Sequence, residues 1–190
     1  MDSLTFDEQP IAHAHAGACG HLVQLYAEQA SLLATLEDFI CAGLDTGEAA
    51  IVIATAPHLH ALEARLQARR IDLVEARNDN RYIPFGAADA MDRFMVDGWP
   101  DASRFIAFLA PVLARARGPG GRKVRGFGEM VAILWARGQR EAALELEKLW
   151  SRVCARGDLT LLCAYPTHGF GRDDDEALER VRAAHTCEVG

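Results

Sequence analysis

Six consecutive apolar residues, Ala49 to Ala54, run directly into Thr55-Ala56-Pro57, after which leucines recur at helical spacing. An uninterrupted apolar run of strand length fits a strand covered on both faces, and Pro57 suits a helix start because its missing N–H would be unpaired there anyway. The same two rhythms recur along the chain. Strands are predicted at 21–26, 49–54, 82–85, 123–127 and 160–165. Helices are predicted at 30–44, 57–69, 101–117, through Ile133 and Trp135, at 139–154 and at 173–185. Asp101 stands where an N-cap is expected. Gly43 and Gly47 read as a helix stop, and Gly118 to Gly121 as a break.

Strands alternating with helices of ten or more residues imply βαβ units. The expected fold is therefore an α/β, three-layer domain with a mostly parallel sheet flanked by helices. Residues 1–18 read as an irregular arm and 19–190 as one domain. With 190 residues, 50% of them hydrophobic, the chain can bury one full core.

Charge removes several function classes. The net charge is −7, so nucleic-acid binding is not expected. The basic stretch Arg115 to Arg125 reads as a solvated loop. No apolar run approaches the roughly 20 residues that span a bilayer. The first ten residues carry Asp2, Asp7 and Glu8 and no basic residue, unlike a secretory signal, so a cytoplasmic location is expected. The five cysteines are widely spaced and do not suggest a disulfide framework. Cys163 reads as a small buried hydrophobe.

Open α/β sheets hold ligands at the carboxyl ends of their strands. After Ala54 comes Thr55-Ala56-Pro57-His58, without the glycines, Lys and Ser/Thr pattern of a nucleotide phosphate loop. No cofactor is expected. Glu129, after the strand at 123–127 and beside Gly128, reads as a ligand contact, a remnant metal-binding acid or a helix-start carboxylate. The serines are Ser3, Ser31, Ser103 and Ser151, none in a nucleophile elbow, so no enzyme is expected. His13, His15, Cys19 and His21 form a loose set of borderline metal ligands.

The order of segments resembles the MEDS family, the DcmR-type sensory domain. The resemblance rests on Gly20-His21 with Tyr26, on Phe39 to Leu44, and on Gly47-Glu48 before AAIVIA. It continues through Arg125 to Met130, Leu134-Trp135, Glu147 to Trp150, Leu161 to Pro166, Phe170 and His185. It implies a RecA/KaiC-like fold without a functional P-loop and a sensory or regulatory role. Implied partners are a signalling protein, such as a histidine kinase or response regulator, and a small-molecule ligand. The resemblance also leaves room for a homo-oligomer. The pocket expected on this reading uses His21, Tyr26, His58, Glu129, Trp135, Tyr165 and His168. The rival readings are a protein-interaction module without a ligand, and a metal sensor or enzyme using His13, His15, Cys19 and His21.

Overall fold

The structure is a computed structural model describing residues 20–157, 159–170 and 175–189. The expected arm lies outside these residues, as do His13, His15 and Cys19. Six strands form one parallel sheet: β1 (His21–Tyr26), β2 (Ala49–Ala54), β3 (Tyr82–Gly86), β6 (Val124–Gly128), β7 (Leu159–Pro166) and β8 (Cys187–Val189). Their order is β3-β2-β6-β7-β1-β8. A separate hairpin pairs β4 (Met95–Val96) with β5 (Trp99–Pro100).

The uninterrupted apolar runs are explained by two cores. Ala49, Ile51 and Ile53 point into one, Ala50, Val52 and Ala54 into the other. The first face is covered by α4 (Ala87–Phe94), α5 (Ala102–Arg117), α6 (Met130–Ala136), α7 (Arg140–Cys154) and α8 (Asp175–Ala183). The second is covered by α1 (Gln29–Asp45), α2 (Ala56–Ala68) and α3 (Leu73–Asn78). The expected three-layer architecture is thus the one observed. As expected, Asp101 caps α5, its Oδ1 accepting from the Arg104 N–H at 2.8 Å. Not foreseen were α3, α4, the hairpin and β8.

One arginine reading changes. α1 ends at Asp45, between Gly43 and Gly47 as expected. A Cβ on Gly43 would lie 2.6 Å from Arg125 Cδ, so its role is to admit that side chain. Arg125 is buried rather than solvated: Nε donates to Glu48 Oε2 at 2.6 Å and Nη1 to the Phe39 carbonyl at 3.0 Å. A buried guanidinium needs such partners. Cys187 is disulfide-bonded, a pairing the cysteine spacing did not suggest.

The connections set the position of the sites. Those leaving β1 and β2 run over the α1–α3 face, whereas those leaving β3, β6 and β7 run over the other. Adjacent strands β2 and β6 therefore send their chains to opposite faces, which opens a crevice at their carboxyl ends.

Candidate functional site

The crevice is filled by a carboxylate. The backbone N–H of Glu129 continues the β6–β2 ladder by donating to the Ile53 carbonyl at 2.9 Å, which fixes the side chain beside the end of β2. Glu129 Oε2 accepts from the Thr55 N–H at 2.7 Å, and Oε1 accepts from His58 Nδ1 at 2.8 Å and from the Thr55 hydroxyl at 3.4 Å. It makes no side-chain cap to its own helix α6. Glu129 therefore caps the start of α2, the place where an α/β domain would otherwise seat an anion. Glu129 and His58 are both buried.

The hydrogen bond to Glu129 raises the His58 pKa above the ordinary imidazole value, partly opposed by burial. Tyr26, at the end of β1, has its phenol pKa raised by burial and then by the charge of Glu129.

A second polar cluster lies under α7. His21 opens β1, and Cys163 and Tyr165 sit on the neighbouring β7, in register with Val23 and Leu25. Glu147, on α7, is 0% exposed. Its Oε1 accepts from the Tyr165 hydroxyl at 2.7 Å, and its Oε2 lies 3.4 Å from Cys163 Sγ and 3.2 Å from His21 Nε2. His185 follows α8 and places Nε2 3.4 Å from Glu147 Oε1. Thr186 fixes this approach. Its N–H and hydroxyl donate to the His21 carbonyl at 2.7 and 2.8 Å, and its hydroxyl oxygen accepts from the His21 N–H at 3.1 Å.

The electrostatics follow from burial. Desolvation alone would raise the Glu147 carboxyl. The charges of His185 and His21 and their hydrogen bonds overcome it and hold the group well below the usual carboxylate range. Burial lowers the His185 pKa, but Glu147 outweighs it, with a net rise. Burial and the Glu147 charge push the Cys163 thiol and the Tyr165 phenol well up, so both keep their protons.

The seven residues of the expected pocket divide among three places. Tyr26, His58 and Glu129 belong to the crevice. His21 and Tyr165 belong to the α7 cluster. Trp135 packs against Tyr165 and Phe170, its Nε1 donating to the Gly169 carbonyl at 3.1 Å. His168 is exposed on the turn after β7. Cys163 is no plain hydrophobe, since its sulfur meets the imidazole of His21 and the Glu147 carboxylate.

Sequence reasoning missed Glu147 as a site residue. Its signal was available: it lies three or four positions from Ala143, Leu144 and Trp150, on the buried stripe of an amphipathic helix. Ser151, one turn on, was equally legible as its companion.

No curated protein matches the chain. The model of the MEDS family, described as the methanogen/methylotroph DcmR sensory domain, matches residues 20–186. That span contains the whole sheet up to the start of β8, the Glu129 crevice and every member of the α7 cluster. The chain belongs to the MEDS sensory domain family.

Proposed function

We propose that this chain is a sensory or regulatory module of a bacterial signalling pathway, acting by binding rather than by turnover. Its proposed counterparts are a small-molecule ligand and a signalling protein such as a histidine kinase or response regulator. In this reading the fold is a relative of the RecA/KaiC type in which the Thr55–His58 turn replaces the phosphate loop. The observation that carries it is the Glu129 carboxylate on the Thr55 N–H. An anion already built into the chain occupies the seat that a nucleotide's phosphates need, and it repels them. Pro57 further removes one N–H from the start of α2.

The crevice pair then serves as the responsive element. Glu129→Gln keeps the shape but removes the charge that faces His58 at 2.8 Å. We expect it to cost about 1.5–3 kcal/mol, the range for hydrogen bonds to charged groups. It should also alter pathway output per folded molecule. Melting temperature and output in cells, normalised to folded protein, are measured together. A loss of stability with unchanged normalised output would make Glu129 a structural ion pair only and withdraw it from the site.

A second reading, a protein-interaction module, is favoured by one surface. An open groove of about 680 Å³ between β3, α4 and α5 is lined by Phe85, Phe108 and Val112 together with Arg93, Arg104 and Arg115. Its three guanidinium groups, on a chain of net charge −7, suit an acidic segment of a partner.

A further inference from the structure

Two imidazoles, a thiol and a carboxylate turn their ligand atoms toward one another under α7. His185 Nδ1 donates to the Val181 carbonyl at 2.7 Å, which leaves Nε2 as the ring nitrogen turned to Glu147. Ser151 has one hydroxyl proton, which goes to the carbonyl of Glu147 at 2.9 Å or of Ala184 at 3.1 Å. It therefore accepts from His21 Nδ1 at 3.0 Å, and His21 Nε2 is the ring nitrogen turned to Glu147 and Cys163. Both Nε2 atoms converge on the cluster of the Glu147 carboxylate and the Cys163 thiol. The thiol has one proton to share between His21 Nε2 and Glu147 Oε2. His185 Nε2, on a side chain only 1% exposed, faces Glu147 Oε1 at 3.4 Å.

We propose that His21 Nε2, Glu147, Cys163 Sγ and His185 Nε2 together bind one divalent metal ion of the zinc class. The four ligand atoms all lie within 4.8 Å of one another. Ligands at ordinary zinc distances around a tetrahedral centre are separated by about 3.3–3.6 Å. The separations here are 3.4 Å for His21 to Cys163, 3.2 Å for His21 to Glu147, 3.4 Å for Cys163 to Glu147 and 3.4 Å for His185 to Glu147. The His185 distance is to the other carboxylate oxygen, and the whole set lies within 4.8 Å, so closing on an ion takes a movement of about 1 Å at most.

Charge and ligand type agree. Binding displaces to solvent the Cys163 proton and any proton carried on the two Nε2 atoms, and leaves a thiolate, a carboxylate and two neutral imidazoles around the ion. The assembly is then neutral, which suits a place where Glu147 and Cys163 are fully buried. Two imidazoles, a thiolate and one carboxylate select a borderline ion over magnesium or calcium, which prefer oxygen. The outer contacts are those a zinc site needs: each imidazole donates its remaining N–H, one to Ser151 and one to the Val181 carbonyl, and Tyr165 holds the carboxylate. This set shares only His21 with the group seen in the sequence. It does not depend on the Glu129 crevice, since metal retention is read without any signalling output.

The test uses the full chain without a histidine tag, stripped with chelator and titrated with Co²⁺ and then Zn²⁺. The expected result is one Co²⁺ per chain, a thiolate-to-metal charge-transfer band with intense tetrahedral absorption, and loss of both as Zn²⁺ displaces it. Cys163→Ser should remove the charge-transfer band. Ser151→Ala keeps every ligand and should weaken Zn²⁺ affinity about 10–100-fold, as loss of an outer-shell partner does. It reports on binding even where Cys163→Ser does not fold. The double variant His13→Ala/His15→Ala should keep full stoichiometry. Absence of stoichiometric Co²⁺, a weak octahedral spectrum without the thiolate band, unchanged affinity in Ser151→Ala, or loss of the ion in the double variant would each overturn the site.

Discussion

Glu147→Ala is expected to destabilise the domain by about 3–5 kcal/mol, the cost of removing one partner from a buried charged pair. The carboxylate is wholly enclosed, and Tyr165, Cys163, His21 and His185 all address it. Truncation leaves the Tyr165 hydroxyl without its acceptor and two imidazoles crowded at a ring distance of 4.1 Å with no anion between them. It also opens a void under α7. Total stabilities of such domains are about 5–15 kcal/mol, so the variant should be marginal at growth temperature. Urea unfolding of wild type and variant gives the number directly. A difference under about 1 kcal/mol, the scale of exposed ion pairs, would mean that the cluster is solvated and not a buried network.

Leu162→Asp is expected to have an effect at least as large, for a simpler reason. β7 lies between β6 and β1 in the sheet interior, and Leu162 points into the α1–α3 core. Its neighbours in that core are apolar, so an aspartate there buries an unpaired charge or takes up a proton to avoid it. A loss of more than about 4 kcal/mol follows, within the exceptional tail of single substitutions. Leu162→Ala provides the graded comparison at about 2–5 kcal/mol, from lost burial and the cavity left. Soluble yield and melting temperature are the readouts. A soluble Leu162→Asp protein melting with wild type would refute the placement of β7 in the core.

Much of this architecture was readable because burial on both faces leaves a local mark. The runs AAIVIA and LLCAY have no polar alternation, and both are interior parallel strands. Capping left a mark too, at Asp101. The short elements leave none: β8 is three residues, Cys187–Val189, and it exists because β1 offers it a free edge. The hairpin at 95–100 is equally short. For α3 a signal was present in Asp72, whose Oδ1 accepts from the Val74 and Glu75 N–H groups. Six residues are too few for a periodic pattern to form around it.

The crevice was half legible. Glu129 and His58 each stood at a strand end, where α/β domains collect polar groups. Their meeting depends on β2 lying next to β6, a pairing between segments more than seventy residues apart that no local pattern encodes. The same holds for His21 and His185, which are brought together by the last strand docking beside the first. Glu147 is the contrary case: a carboxylate on an apolar helical stripe is visible in the sequence itself, and it marks a buried polar network.

The reading proposed above has Glu129 on the Thr55 N–H, where a nucleotide's phosphates would otherwise sit. Calorimetric titration of the purified chain with magnesium-ATP tests it most directly. The account predicts no saturable heat and no turnover. Saturable micromolar binding would contradict it, because the phosphates would then have displaced Glu129 from the Thr55 N–H.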